Sequence, residues 1–368
     1  MTPVAASQRA SARTTRKTRL ALALTVAYTG LLAYASLQPF AGWRLPPPEI
    51  LAFLTAPRPR YLTATDAVLN IALYVPLGVC AFVALKRRFG TASALTFATA
   101  YGAFVSLALE SVQMYLPARI ASNLDIAFNA AGTLAGALAA WALSPPRPLG
   151  QALVALRRRH IAAGALPDVA LMLLAWWLIA QLHPDTIVFG TGDLRGRWPL
   201  PFAPAHTPEL FATMETAVVA LNLIVVGLLA SLWLAPGLSP LRATAALALL
   251  ALLGRGLASL ALRVSDDPLA TLTPGLVFGT LIGIATLVAL TALGRQARAV
   301  AATAAVLLAA LAVNLTPPNP YLALPPPPAP GASHISILEE VLRFLDETWP
   351  AAALVYLTRA AAQLRRDA

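Results

Sequence analysis

Charged residues are scarce in this 368-residue chain: Asp, Glu, Lys and Arg together make up 12% of it. A soluble domain carries roughly twice that share. So few charges cannot cover a water-facing surface of this size, which excludes a soluble multidomain enzyme. Cysteine is all but missing, and the single Cys80 excludes both an intrachain disulfide and a thiolate metal cluster. Three of the four histidines, His183, His206 and His334, fall in separate loops, so no metal site is expected. G-x-S-x-G, phosphate-loop, H-E-x-x-H and dinucleotide-binding patterns are all missing, so no cofactor is expected either.

What the chain has instead is apolar length. Hydrophobic residues make up 58% and the mean hydropathy is +0.70. A membrane crossing takes about 20 residues. Apolar runs predict ten helices, near 20–37, 64–85, 92–115, 124–143, 168–182, 213–235, 243–263, 274–294, 299–315 and 350–364. The fifth and tenth are short. The fold expected is therefore all-α, a polytopic integral membrane protein of about ten transmembrane helices. The first run ends in Ala33-Tyr34-Ala35, a look-alike of a signal-cleavage site, but it is long for a signal segment, so a retained helix is expected.

Basic residues fix the orientation. With the start inside, 17 of the 27 fall on inner segments. They include Arg9 to Arg19, Lys86-Arg87-Arg88 and Arg157-Arg158-Arg159. Of the acidic residues, only Asp168 and Asp367 fall there. The positive-inside rule then places both termini in the cytoplasm. The net charge of +11 thus reads as anchoring on anionic lipid, and no nucleic-acid partner is expected. The organisation expected is a basic arm (1–19), a four-helix membrane domain (20–145), a cytoplasmic linker (146–166) and a second membrane domain of about six helices (167–368). Outer loops are proline-rich, and Ile335 to Thr348 has the spacing of an amphipathic helix lying along the outer surface. The Asp266-Asp267 and Glu339-Glu340 runs are read as solvated outer caps. Pro76 and Gly78 mark a kink in the second helix. Gly132-x3-Gly136 and Gly275-x3-Gly279-x3-Gly283 let helices approach closely.

Three polar pairs interrupt the apolar helices of the first half: Asp66 with Asn70, Glu110 with Gln113, and Asp125 with Asn129. Spacings of three or four put each pair on one helix face. The topology brings all three to the same depth, with Arg119 in the short turn beside them. A carboxylate in hydrocarbon must face a pocket or a cation. Asp66 and Asp125 also suit helix starts as caps, whereas Glu110 near a helix end opposes the dipole and so points to function. In the second half Arg255 lies deep in a helix, with Asn222 or Glu215 as its expected partner, in either a structural or an anion-binding role.

Residues of the first half carry a family resemblance. Ser36-Leu37-Gln38-Pro39-Phe40 is followed by Asp66-x3-Asn70-x3-Tyr74-x-Pro76-Leu77-Gly78. Next come Ser106-x3-Glu110-x2-Gln113-x5-Arg119 and Asn123-x-Asp125-x3-Asn129-x2-Gly132-x3-Gly136. Over about residues 20–145 the chain resembles the VanZ-like family. Many members have an acid or threonine between the arginine and the last Asp-x3-Asn; here Ile120, Ala121, Ser122 and Asn123 stand there. The resemblance implies a bacterial cytoplasmic (inner) membrane protein tied to the cell envelope and to resistance against the glycopeptide teicoplanin. It supplies no biochemical activity.

Three functions follow as expectations. The first is binding or remodelling of an anionic, lipid-linked envelope precursor or a membrane lipid. In it Arg119 grips phosphate, while Asp66, Asn70, Glu110, Gln113, Asp125 and Asn129 shape an outward-facing pocket. The second is a membrane-embedded hydrolase or transferase with Glu110 or Asp125 as catalytic general base. The third is a proton-coupled transporter, suggested by Arg255 and the six further helices.

Overall fold

A computed structural model describes residues 3–46, 48–57, 64–183, 186–198, 207–261, 272–317, 319–320 and 333–366, with backbone alone for 3–17, 261 and 333–336. Asp266-Asp267, His206, Asp367, the side chains of Arg9 to Lys17 and of His334, and most of the proline-rich stretches lie outside the described residues. Among the described residues the chain forms ten α-helices and one 3-10 turn, with no strand. Seven of the helices are long and apolar enough to cross a membrane. The residues fall into two compact units, 1–155 with 327–341, and 156–326 with 342–368.

The first unit is built from α1 (Pro3–Leu37), the 3-10 turn (Ala52–Thr55), α2 (Ala64–Gln113), α3 (Asn123–Ala142) and the start of α4 (Pro148–His160). The expected helices 64–85 and 92–115 form one helical run, α2, broken at Gly90. There φ is +78° and ψ 179°, a conformation that glycine alone adopts without strain. Gly90 lies in the gap expected between those two helices, whereas at Pro76 and Gly78, where a kink was expected, the backbone angles stay helical. Each arm of α2 remains long enough to span. α3 starts where Ser122 caps it, the hydroxyl accepting from Leu124 N at 3.2 Å. The stretch read as a linker contains α4.

Small residues hold α2 and α3 together. A Cβ on Gly132 would lie 2.2 Å from Ile71 O, one on Gly136 2.0 Å from Val75 O, and one on Gly78 2.0 Å from Thr133 O. Gly102 is closed off in the same way by Thr133 Oγ1 at 2.0 Å. The backbones meet with no room for a side chain, which is how helices pack where lipid supplies no hydrophobic drive. α1 is tied on by Tyr28 Oη donating to Leu73 O at 2.8 Å and by the Thr29–Tyr101 hydroxyl pair at 2.9 Å.

The second unit comprises α5 (Ala165–Ala180), α6 (Pro208–Ser231), α7 (Pro240–Ala261), α8 (Pro274–Thr291), α9 (Arg295–Leu315) and most of α10 (Ser333–Arg366). Thr207 and Thr273 cap α6 and α8, each followed by a proline whose missing N–H costs nothing at a helix start. α6 is the central helix, with Val218, Val225, Val226, Leu228 and Leu229 fully buried. Gly275, Gly279 and Gly283 of α8 lie against its Glu215, Thr216 and Ala220. The amphipathic helix expected on the outer surface is instead the first part of α10, which continues through Pro350. Leu342, Asp346 and Trp349 are buried, and Trp349 Nε1 donates to Leu173 O at 2.9 Å. Their apolar face has found a protein partner before lipid or water.

Large apolar side chains stand outward along the helices, among them Leu22, Val26, Phe104, Leu253, Leu257 and Leu281. In water such a belt would drive aggregation; in hydrocarbon it costs nothing. The chain is a multi-pass membrane protein.

Candidate functional site

In the first unit α1 ends, α2 both begins and ends, and α3 begins at one end of the bundle. The predicted polar residues are brought there by that arrangement. A hollow of about 430 Å3, open mouth included, is lined by Ser36, Asn70, Tyr74, Glu110, Gln113, Arg119, Asp125 and Asn129 together with apolar Leu32, Leu73, Leu109, Ile120 and Ile337. Its enclosed part holds about one water-sized group. Asp66, half-buried on the first turn of α2, is not among the lining residues. The basic residues stand at the other end of the same arm, Lys86 over the Phe82 ring at 5.4 Å and Arg88 over Phe89 at 5.2 Å.

Each polar side chain has a defined partner. Asn70 Nδ2 donates to Asp125 Oδ1 at 2.9 Å, joining α2 to α3. Gln113 Nε2 donates to Ser36 O at 3.2 Å and Ser36 Oγ at 2.7 Å, joining α2 to α1. Glu110 Oε2 accepts from Ser122 N at 2.8 Å. Asn129 Nδ2 donates to Ser106 Oγ at 2.9 Å, while its Oδ1 is buried with no hydrogen-bond partner. Ser122 and Asn123 stand just before and at the start of α3. Ser122 caps α3 and holds Glu110, and Asn123 Nδ2 donates to Leu54 O and Ala56 O of the 3-10 turn.

Arg119 lines the hollow and is also bonded to backbone carbonyls. It is only 7% exposed, with Nε donating to Gln38 O at 3.0 Å and an Nη to Ala35 O at 3.1 Å. These are carbonyls at the C-terminal end of α1, where a helix leaves acceptors unpaired and a cation is favoured. Burial lowers the guanidinium's affinity for its proton, and the nearby Glu340 and Glu110 oppose that. Ser36 and Tyr74 line the hollow, and Ser106 and Ser122 hold Asn129 and Glu110 there; spacing alone singled out none of these four. The first three stand inside the family motifs, and Ser122 precedes a helix start, which is a capping signal.

In the second unit Arg255 does not take Asn222 as its partner. Its guanidinium donates to His183 O at 2.9 Å, to Thr186 Oγ1 at 3.2 Å and to Thr186 O. The loop after α5 folds inward and delivers these oxygens directly, a path no helical periodicity can show. Asn222 Oδ1 accepts from Thr191 Oγ1 at 3.3 Å, and its Nδ2 donates to Val218 O at 2.9 Å. Glu215 lies within electrostatic range of Arg255 and accepts from the Thr273 hydroxyl. These are the bonds of a loop anchor.

A second polar knot in that unit was not legible in the sequence. Asp346, 2% exposed, accepts from Asp193 N at 3.3 Å. Beside it Arg195 pairs with Asp193 at 2.5 Å and Arg197 with Glu347 at 2.7 Å. Burial above all, then the Asp193 charge, pushes the Asp346 carboxyl up to about 8, against the opposing hydrogen bonds from Asp193 and Gly192. The folded state therefore holds a proton that an unfolded chain loses near pH 4. The stability Asp346 contributes is present below that pH and is lost as pH rises through about 8. Thermal melts at pH 6 and pH 9 check this: the native chain loses stability across the interval, and Asp346→Asn loses less.

The fold and site thus define a multi-pass helical membrane protein with a polar pocket at one end of its first helical unit. Residues 3–144 match the family model VanZ/LLP1, so that segment, under half of the 368 residues, is VanZ-like. No curated protein and no solved structure matches the chain.

Proposed function

We propose that the VanZ-like unit captures the polar head of a lipid or lipid-linked envelope molecule in its end pocket. The observation that supports this best is the pairing of buried acceptors with an apolar mouth. Glu110, Asp125 and the partnerless Asn129 Oδ1 lie inside, while Ile120, 57% exposed, and Leu109 stand where an acyl or prenyl chain would leave. The basic residues at the opposite end put that end in the cytoplasm and the pocket outside, in a bacterial inner membrane. Both termini are then cytoplasmic. Such capture at the outer face fits the family's link to glycopeptide susceptibility. Arg119 holds the end of α1 in this reading, and a phosphate is left to the rim.

Lipid carried through purification tests the reading. Ile120→Trp blocks the mouth at an exposed position, so it spares the fold. It is expected to cut lipid retained in native mass spectra by at least about tenfold. Unchanged retention would contradict the proposal, and turnover of a labelled lipid that Glu110→Gln abolishes would assign a hydrolase or transferase instead.

A further inference from the structure

The ligand class follows from a count of donors, and it rests on the pocket reading above. Each amide and guanidinium group that lines the hollow donates to at least one acceptor inside the unit. Gln113 Nε2 is on Ser36, Asn70 Nδ2 on Asp125 and Asn129 Nδ2 on Ser106, while Arg119 is on Gln38 O and Ala35 O. The Ser122 N–H is taken by Glu110. What the walls offer inward is acceptor oxygen: the carboxyls of Glu110 and Asp125, and Asn129 Oδ1, which belongs to a residue 4% exposed.

An acceptor left without a donor in a buried site is costly, and a ligand that brings the donor removes the cost. Phosphate brings only acceptors and would meet two acids. Two carboxyls sharing a low-dielectric hollow repel each other when both are ionised, and a cation between them relieves this. Size narrows the choice further. The enclosed space takes about one water-sized group. A primary ammonium is of that size and carries three N–H donors; a trimethylammonium is larger and carries none.

We infer that the pocket binds a lipid-anchored primary ammonium group, held by Glu110, Asp125 and Asn129. Two sources carry that chemistry: an ethanolamine phospholipid head group, and a free amine on a polyprenyl-linked envelope precursor. In both, the phosphate stays at the rim and the hydrocarbon leaves past Ile120.

The test uses the full chain in nanodiscs and reads retained lipid by native mass spectrometry. One arm compares phosphatidylethanolamine, its mono- and dimethylated forms, phosphatidylcholine and phosphatidylglycerol. The other compares a polyprenyl-linked glycopeptide bearing a free amine with its N-acetylated form. In at least one arm the free amine is expected to be retained about tenfold over its fully methylated or acetylated counterpart. Whichever arm shows this names the source. Asn129→Leu and the near-isosteric Glu110→Gln should erase the preference. The head-group series on the native chain stands without either variant. A preference for phosphatidylglycerol would overturn the ammonium assignment and leave head-group capture intact, whereas lipid retained equally whatever its head group would overturn both readings. No retention of any lipid would overturn both.

Discussion

Gly132→Leu is expected to leave no folded first unit. A Cβ there would stand 2.2 Å from Ile71 O and 2.9 Å from Ile71 Cα. The obstruction is backbone on α2, which cannot rotate aside as a side chain can. Relief requires α3 to move off α2, and that opens the neighbouring approaches at Gly136 and Gly78 and strains the Asn70–Asp125 bond. The cost should reach at least about 3 kcal/mol, at the top of the range for overpacking. Fluorescence-detected size exclusion after heating reads it: the variant should be aggregated at temperatures where the native chain is monodisperse. Gly30→Ala is the matched control, because a Cβ there meets nothing within 4 Å. It should melt at or slightly above the native temperature, as alanine favours a helix more than glycine does. Equal melting of the two variants would mean that α2 and α3 are not in contact as described.

Arg119→Ala is expected to be nearly as damaging, through electrostatics instead of volume. It strips donors from the Ala35 and Gln38 carbonyls and removes a cation that interacts with Glu110 and Glu340. Leaving buried acceptors and an uncompensated acid should cost about 2–4 kcal/mol. Arg119→Lys keeps the charge but loses the planar fork that reaches two carbonyls at once, so it should recover part of the stability only. Thermal melts of the three proteins check the order native, Lys, Ala. If instead both variants melt like the native chain and lose only retained lipid, Arg119 is a ligand-gripping residue after all.

Much of the helical plan was legible because it is written in composition. Twenty-residue apolar runs and their basic flanks have no other use in a chain with so few charges, and Gly-x3-Gly spacing signals close packing wherever lipid is the solvent. The grouping of Asn70, Glu110, Gln113, Asp125 and Asn129 was legible for a related reason: polar residues three or four apart on an apolar helix have one face to occupy. Asp66 shares that spacing yet stays outside the hollow, because the first turn of a helix gives an acid another position to fill. Partners were not legible. The acceptors that Arg119 uses are backbone carbonyls, which every residue carries, so no spacing points to them. The same holds for the loop carbonyls that Arg255 uses. The Asp346 knot escaped notice because a buried acid on an amphipathic stretch reads like any other surface acid until its neighbours are known.

The most direct measurement is the density inside the end pocket of the chain purified with native lipid. The account predicts a compact group about 2.7–3.1 Å from Asn129 Oδ1 and beside the Glu110 and Asp125 carboxyls, continuous past Ile120 into a hydrocarbon tail. A pocket holding water alone, or a phosphate lodged among those oxygens, would contradict it.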